Sequence, residues 1–370
     1  MKSEFLAQFP LALQKDSTQR SAIAWLVNQS TRLPARWPEI AQIEDDWARL
    51  EILSQAIITG RKEEARMGTR RMSGGLRYWM EHHAETFFHR QLGYMSDLKL
   101  APTFPHLSRF PPGTWAVQVT FTLRKPYISK DDVDFYILDN PVKKEWVFKV
   151  PYVAPSQWKG ALRAAMVREL VMAFGEGEIN EDEFVEKRLQ MYRLFGNEKD
   201  GTAEFLNRTL ARFRVGSPPQ ENGKEATRQW RERLERETKV VAEEFESALR
   251  ENGYRVGDIE GFQGRLHFYP TFFDRIGLEI INPHDREKGA GKHPIYFECV
   301  PPETSGIFTL LYVPIGGGPK DEATCKADLE AVAKGIRAMF TTYGFGAKTS
   351  SGYGVAKIEN FHTETQRTQG

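Results

Sequence analysis

The sequence has little cysteine: Cys299 and Cys325 are the only two among its 370 residues. Two distant cysteines do not make the disulfide framework of a secreted domain, so a reducing, cytoplasmic location is expected. The sequence also lacks an uninterrupted run of about 18 apolar residues. Its first residues have no apolar core followed by a small-residue cleavage site. We therefore expect no membrane span, no signal peptide and no membrane partner.

An excess of charge of one sign is missing as well. The 51 Lys and Arg residues offset 50 Asp and Glu residues, so the net charge is only +1. Bulk charge therefore does not argue for nucleic acid, and any RNA binding must come from local basic patches. Hydrophobic residues make up 40% of the chain, which is enough for a large core. Composition alone leaves a soluble enzyme of any kind open.

Residues 1–112 are predicted to form a mainly helical N-terminal extension. Apolar residues recur there at helical spacing, and a cluster of prolines then ends the pattern. The helical positions include Ala24, Trp25, Leu26, Ile40, Ile43, Trp47, Leu50, Leu53 and Ile57, and the prolines are Pro102, Pro105, Pro111 and Pro112. A basic stretch from Gly60 to Arg77 lies within this extension.

The remaining chain alternates between strand and helix patterns. Without a highly charged stretch at 197–260, the order is strand, loop, helix, strand, strand, helix, strand. That is the order of an α+β ferredoxin-like fold. We therefore predict a ferredoxin-like, RRM-like core at 113–196 and 261–361, a helical insertion at 197–260 and a tail at 362–370. Within the insertion, Lys224–Glu251 predicts one long amphipathic helix, either a contact to neighbouring subunits or a solvated helix on its own domain.

A glycine-rich loop between the last predicted helix and the last predicted strand is the first candidate site. Glycines let backbone amides approach an anion, lysine adds charge, hydroxyls donate hydrogen bonds, and aromatic rings offer faces for a base. The candidate residues are Gly344, Gly346, Lys348, Thr349, Ser350, Gly352 and Tyr353, with the rings of Tyr343 and Phe345 beside them. A P-loop or dinucleotide fingerprint is excluded, because each needs a strand before the loop and a helix after it. The alternative is a tight structural turn.

The second candidate site is the start of the helix that Ser156 is predicted to cap. Lys159 and Arg163 lie four residues apart and so share one face of the first turns. Together with the amides of the helix N-terminus they could contact phosphates. The alternative is an amphipathic helix with a solvated basic edge.

The third candidate is an acidic loop that runs from Asp131 to Asp139. Carboxylates there could hold a divalent cation or act as a base in phosphoryl transfer. Asp139-Asn140-Pro141 is also a good turn sequence, so a solvated loop is the alternative. Two cysteines do not support a zinc site, and His284 is the best histidine for an acid–base role.

These segments together resemble the RAMP superfamily, the repeat-associated RNA-binding proteins of CRISPR systems. GFGAKTSSGYG looks like the family's GxGxKTSxGYG loop. NPVKKEWVFKVPYVAPSQWKGALR looks like the region that members write as DNPV, a spacer and PYIPGSSLKGxLR, although the glycine of PGSS is missing here. Phe195-Gly196, followed later by GRLHF, is similar to a further family signature. The likeness covers about 114–200 and 260–360 and is closest to the backbone (Cas seven-like) subunits of type III RNA-guided effector complexes.

The resemblance implies a subunit of a type III CRISPR ribonucleoprotein effector. Its partners would be guide RNA, target RNA and other effector subunits. Ser156, Lys159, Arg163 and the glycine-rich loop would bind the guide's sugar–phosphate backbone. Asp139 matches the aspartate with which such subunits cut target RNA, so it would serve as catalyst and as ligand of Mg²⁺ or another divalent cation.

Two alternatives stay open within the same superfamily. The segment around Asn282-Pro283-His284 looks like a terminal, capping-type member, which would be a non-catalytic structural subunit with Asp139 as a turn residue only. A metal-independent endoribonuclease that processes repeat RNA would instead use a histidine as its base, with His284 as the candidate.

Overall fold

The computed structural model describes residues 17–33, 38–58, 60–68, 75–131, 136–197, 201–219, 223–254, 262–282 and 294–366. The helices are α1 (Ser17–Val27), α2 (Asp46–Leu53), α3 (Lys62–Met67), α4 (Leu76–His82), α5 (Ala84–Asp97), α6 (Pro155–Gly175), α7 (Glu181–Phe195), α8 (Thr202–Val215), α9 (Lys224–Glu251) and α10 (Glu322–Ala338). The strands are β1 (Trp115–Leu123), β2 (Tyr152–Val153), β3 (Leu266–Phe268), β4 (Thr271–Phe272), β5 (Gly277–Ile281), β6 (Ile295–Cys299), β7 (Ser305–Tyr312) and β8 (Ala356–Thr365). The predicted mixed α+β class is confirmed.

The main sheet is antiparallel and has four strands in the order β3–β7–β1–β8. Along the chain these strands and the helices α6 and α10 follow one another as β1, α6, β3, β7, α10, β8. The alternation predicted for β1 is present: Val117, Val119 and Phe121 are buried, and the side chains between them are partly exposed. β8 continues to Thr365, so the predicted tail at 362 begins inside a strand.

Helices α6 and α10 pack on the buried face of this sheet and on each other. Gly335 of α10 has no side chain where Met166 of α6 approaches; a Cβ there would lie 2.5 Å from that methionine. Val332 and Ile336 point into the same core, as the sequence pattern predicted. The first candidate RNA-binding segment is the beginning of α6, and the second, the glycine-rich loop, follows the end of α10. Both segments are therefore attached to this helix layer.

Two short ribbons stand beside the main sheet. β2 pairs with β4, and β5 pairs with β6, in register from Gly277 with Cys299 to Ile281 with Ile295. Asn140 forms an isolated bridge with Phe297 of β6, so the segment that follows the acidic loop is attached to this second ribbon.

The paired LFG and GRLHF segments cross at close range. Gly196 bridges to Gln263, and a Cβ on Gly264 would lie 2.3 Å from the carbonyl oxygen of Leu194. Only glycine permits that approach. The buried Arg265 that follows donates hydrogen bonds to the carbonyls of Ile315, Gly317 and Pro319. The two glycines of the motif thus have a structural role at the crossing of the two segments. Arg265 has a structural role as well, because it holds the loop that precedes α10.

The N-terminal helices and the charged stretch also pack onto the core. Trp47 of α2 stacks on Tyr136, with ring centroids 6.2 Å apart. In α9, Leu234, Val241 and Leu249 are buried, which confirms the predicted apolar face. The division of the chain into extension, core and insertion stays a prediction. No helix in the described parts of the chain is long and apolar enough to span a membrane.

Candidate nucleic-acid interface

The glycine-rich loop begins where α10 changes into one π-helical turn, Met339–Tyr343. The backbone that follows needs glycine at several close approaches, among them those of Gly346 and Gly354. Gly346 has φ +92°, and a Cβ there would lie 2.5 Å from the carbonyl oxygen of Ile128; Gly354 has φ +72°, and its Cβ would lie 1.9 Å from that of Phe345. No side chain fits either position, so both glycines are required by the fold of the loop itself.

Backbone hydrogen bonds tie the loop to the segment that follows β1. Ala347 donates to the carbonyl of Ile128 at 2.7 Å, and Gly354 donates to that of Pro126 at 3.0 Å. Arg124 donates in return to the carbonyl of Val355 at 2.9 Å. The loop is therefore held by the neighbouring chain segment rather than standing as an isolated turn.

Phe345 cannot offer a face to a nucleobase, which corrects the prediction made for it. Its side chain is 1% exposed and packs against Trp158 of α6, with ring centroids 4.5 Å apart. Tyr127 and Phe121 complete the cluster. The apolar neighbours explain the difference, since a phenylalanine in a loop is more stable in the core than in water.

Ser156 is not the N-cap of α6, which corrects a second prediction. Ala154 occupies the cap position, Pro155 is the first helical residue, and Ser156 is exposed in the first turn. Proline is well suited to that place, because its fixed φ fits the helix and its missing amide had no partner there. Of the following amides, those of Gln157 and Trp158 donate to the carbonyl of Ala154, which leaves the amide of Ser156 for an outside acceptor.

The structure brings the start of α6 and the glycine-rich loop together. Trp158 contacts Phe345, and the hydroxyl of Tyr127 donates to the side-chain carbonyl of Gln157 at 2.7 Å. Lys159 and Arg163 are half-buried on α6. Burial and the positive charge of Lys159 lower the pKa of His267 on β3. The two segments that sequence reasoning singled out thus meet through buried side chains, with Trp158 and Phe345 at the contact.

The outer part of the loop carries the polar groups. Lys348 has a left-handed φ of +58°, is exposed, and places its ammonium 5.0 Å from the ring of Phe297 on β6. Ser350 is exposed, and Thr349 is half-buried within a short 3₁₀ turn. The Tyr353 hydroxyl donates to Glu279 of β5 at 2.8 Å, and burial together with this carboxylate raises its pKa to about 12.

Not every predicted amide of the loop is available to an anion. Gly344 donates its amide to the carbonyl of Met339, and Gly352 donates to that of Thr349. In the described part of the chain, the backbone hydrogen bonds of the loop do not use the amides of Gly346, Ser350 or Tyr353. Fewer backbone amides of the loop can therefore donate to a bound anion than the number of glycines in the sequence suggests.

Sequence reasoning missed three cations beside the loop. Arg124, Lys125 and Lys130 are exposed and lie at the ends of the segment that pairs with the loop. Their signal in the sequence is weak: two cations directly after a strand and one after a buried run, a pattern common on protein surfaces.

Asp139 is held by two cations of α3. Its two carboxylate oxygens accept from Lys62 Nζ at 2.6 Å and from an Arg66 guanidinium nitrogen at 3.0 Å. Arg66 is buried and also donates to the carbonyl of Ile137. Burial by itself raises the pKa of Asp139, but the hydrogen bonds from the two cations outweigh it and leave the pKa below its ordinary value.

The described residues around Asp139 do not fit a divalent cation. Both of its oxygens already accept from a positive charge, whereas a metal ion would need several carboxylate or carbonyl oxygens free to turn toward it. Within the described ranges, no group of three or more His, Cys, Asp or Glu side chains could hold a metal ion. Asp132, Asp134 and His284 lie outside the described residues.

The comparisons with known proteins agree with the motifs. The RAMP superfamily matches residues 135–357, more than half of the chain, and the protein belongs to that superfamily. The comparison with curated proteins finds no match.

The solved structures that are similar to this chain include the following three. A type III-B Cmr-beta complex bound to cognate target RNA has 14% identity and a TM-score of 0.41, over 93% of this chain and 99% of that chain. Cmr6 from Pyrococcus furiosus has 16% identity and a TM-score of 0.31, over 66% and 98%. A CRISPR RNA-guided surveillance complex, pre-nicking, has 12% identity and a TM-score of 0.31, over 68% and 77%. Scores this low do not specify a function for the chain.

Proposed function

We propose that this RAMP protein is an RNA-binding subunit of a type III CRISPR effector complex, with guide RNA, target RNA and other effector subunits as its partners. The observation that supports this most directly is the contact between the start of α6 and the glycine-rich loop. The polar groups of the candidate surface are the exposed Ser350 and Lys348, the half-buried Lys159 and the amide of Ser156.

This surface is suited to a sugar–phosphate backbone. Cations, hydroxyls and a helix N-terminus bind phosphate oxygens without reading sequence. The nucleotide sequence of the target is then recognised by base pairing with the guide, as in other RNA-guided complexes. Arg124 and Lys125 add charge at the edge of the surface, so we include them among the RNA contacts together with Arg163.

The strand order also supports the proposal. A four-stranded antiparallel sheet with the chain order β1, α6, β3, β7, α10, β8 is the arrangement of a ferredoxin-like domain. We therefore interpret the core as the ferredoxin-like, RRM-like domain predicted from the sequence.

The ion pairs of Asp139 favour the non-catalytic form of this function. A carboxylate that is engaged by Lys62 and Arg66 is a poor general base, because its lowered pKa weakens its affinity for a proton. Metal-dependent cleavage of target RNA through Asp139 remains a prediction, as does repeat-RNA cleavage through His284.

RNA binding is tested by fluorescence polarisation of the full chain with a labelled single-stranded RNA. We expect Lys159→Ala combined with Lys348→Ala to weaken binding at least tenfold, since each cation is a phosphate contact. Lys326→Ala is the matched control, because this exposed lysine lies near the N-terminal end of α10 and the loop follows its other end. Equal binding by wild type and the double variant would refute the assignment.

Cleavage is tested separately in the assembled complex with a target RNA paired to the guide. If Asp139 is only structural, complexes with wild type and with Asp139→Ala should give the same amount of cleavage. The two should agree in magnesium and again in chelator. Loss of cleavage in Asp139→Ala and in chelator, with RNA binding kept, would establish the catalytic alternative. Cleavage of repeat RNA by the isolated chain in chelator would point to the processing endoribonuclease instead.

A further inference from the structure

A turn at residues 144–151 holds two large apolar side chains in solvent. Lys144 and Pro151 form a bridge at its base, and the carboxylate of Glu145 accepts the amides of Val147 and Phe148 at 2.8 and 2.6 Å. Trp146 is nevertheless 79% exposed and Val147 is 70% exposed. An ordered turn that keeps neighbouring apolar side chains in water is typical of an interaction site.

A cavity of about 270 Å³ lies directly beside this turn. It is lined by Asp45, Trp47, Ala48, Glu51, Phe87, Gln91, Val147, Phe148 and Lys149. Small-molecule pockets usually measure about 300–1,000 Å³. The cavity is therefore suited to an inserted side chain more than to a whole ligand.

The lining of the cavity separates apolar from charged groups. The rings of Trp47 and Phe87 are buried and stack with centroids 6.0 Å apart. The carboxylates of Asp45 and Glu51 are more exposed, and the cation in the lining is Lys149. Its ammonium lies 3.9 Å from Glu51 and 5.0 Å from the ring of Trp146.

The charge of the lining favours a basic occupant over a phosphate-rich one. The nearby guanidinium of Arg90 pairs with Asp46, and in the lining itself two carboxylates, Asp45 and Glu51, outnumber the one lysine, Lys149. These carboxylates would disfavour a nucleic-acid backbone, whereas an arginine or lysine side chain would gain an opposite charge there. The aliphatic part of such a side chain can lie along aromatic rings while its charged end meets the carboxylates.

We propose that the turn and cavity together bind a segment of a partner protein that carries a basic side chain next to apolar residues. The basic side chain enters the cavity between Asp45 and Glu51, and the apolar neighbours cover Trp146 and Val147. Tryptophan is among the residues that contribute most to protein interfaces. The proposal is independent of RNA binding, because none of these residues belongs to the surface assigned to RNA.

The test is selection of short random peptides on the purified full-length chain. We expect the enriched peptides to combine arginine or lysine with large apolar residues, and their affinity to fall at least tenfold on Trp146→Ala. Ile58→Ala is the matched control, because Ile58 is 66% exposed and is not part of the cavity lining. Equal urea midpoints of wild type and Trp146→Ala would show that the loss is not unfolding.

A charge exchange tests the occupant's sign. Glu51→Lys combined with Asp45→Asn should shift the selection toward acidic peptides, while asparagine retains the N-cap of α2 that Asp45 provides. Any of four results would overturn the proposal. Three are enriched peptides without basic residues, equal affinity of wild type and Trp146→Ala for the peptides, and an RNA whose binding falls on Trp146→Ala. The fourth is a dimer of the free chain that Trp146→Ala abolishes, since the occupant would then be a second copy.

Discussion

The glycine-rich loop and the surroundings of Asp139 are two regions that the resemblance to the RAMP superfamily singled out, but the protein holds them in different ways. The loop is fixed from within, by the buried ring of Phe345 and by backbone hydrogen bonds to the segment after β1. Asp139 is fixed from outside the motif, by Lys62 and Arg66 of the N-terminal helices.

This difference determines what each region can still bind. Backbone and apolar anchoring leaves the exposed charge of Lys348 available on the outer side of the loop. The carboxylate of Asp139 is less available to a ligand, because it already forms ion pairs with Lys62 and Arg66. The loop therefore keeps an exposed cation, whereas the carboxylate of Asp139 is already engaged.

The largest expected effect is on the anchor of the loop. Phe345→Ala removes a buried ring and should lower the free energy of unfolding by about 3–5 kcal/mol, measured by urea denaturation. Tyr353→Phe is the control, since it removes one hydrogen bond and should cost about 0.5–1.5 kcal/mol. Similar losses in both variants would mean that the loop is not anchored through Phe345.

Alanine substitutions at two glycines of the loop distinguish steric crowding of a Cβ from the strain of a positive φ. Both have positive φ, but a Cβ on Gly354 would meet the Phe345 carbonyl at 1.9 Å, while that on Gly352 would meet nothing within 4 Å. Gly352→Ala should cost about 1–2 kcal/mol of left-handed strain, and Gly354→Ala clearly more. Thermal unfolding of the two variants makes the comparison, and equal losses would contradict the close crossing.

The cations that flank the loop should be visible in the salt dependence of RNA binding. Arg124→Ala with Lys125→Ala removes two phosphate contacts, which should reduce the slope of log affinity against log salt by about 1.4 for a single strand. Polarisation titrations at several salt concentrations measure this slope. An unchanged slope would restrict the RNA surface to the loop and α6.

The smallest expected effect is on the ion pairs of Asp139. Because 60% of its side chain is exposed, Asp139→Asn should cost only about 0–1 kcal/mol at neutral pH. The folded pKa is lowered, so the contribution is present above the ordinary value of 3.8 and is lost as the pH falls through the folded value. Urea unfolding at stepped pH should show wild type and variant converging there, with exposed Asp97→Asn as the control. A constant difference would exclude the ion pairs as its cause.

Local patterns were sufficient for the strands and helices of the main sheet layer, but the ribbon of β5 and β6 was not predicted. The alternation in β1 and the apolar face of α9 were readable because strand and helix periods show directly in sequence. The N-cap of α6 was misplaced by two residues, because Ser156 and Ala154-Pro155 offer competing starts.

The superfamily, the α+β class, and the glycines and cations of the candidate surface could be inferred from the sequence, because these depend on short stretches of chain. The folded structure was needed to show that Phe345 is a core residue, that Lys62 and Arg66 pair with Asp139, and that Trp146 lies beside a cavity lined by two carboxylates. Each of these depends on residues far apart in the chain, and no local periodicity records which distant side chains will meet.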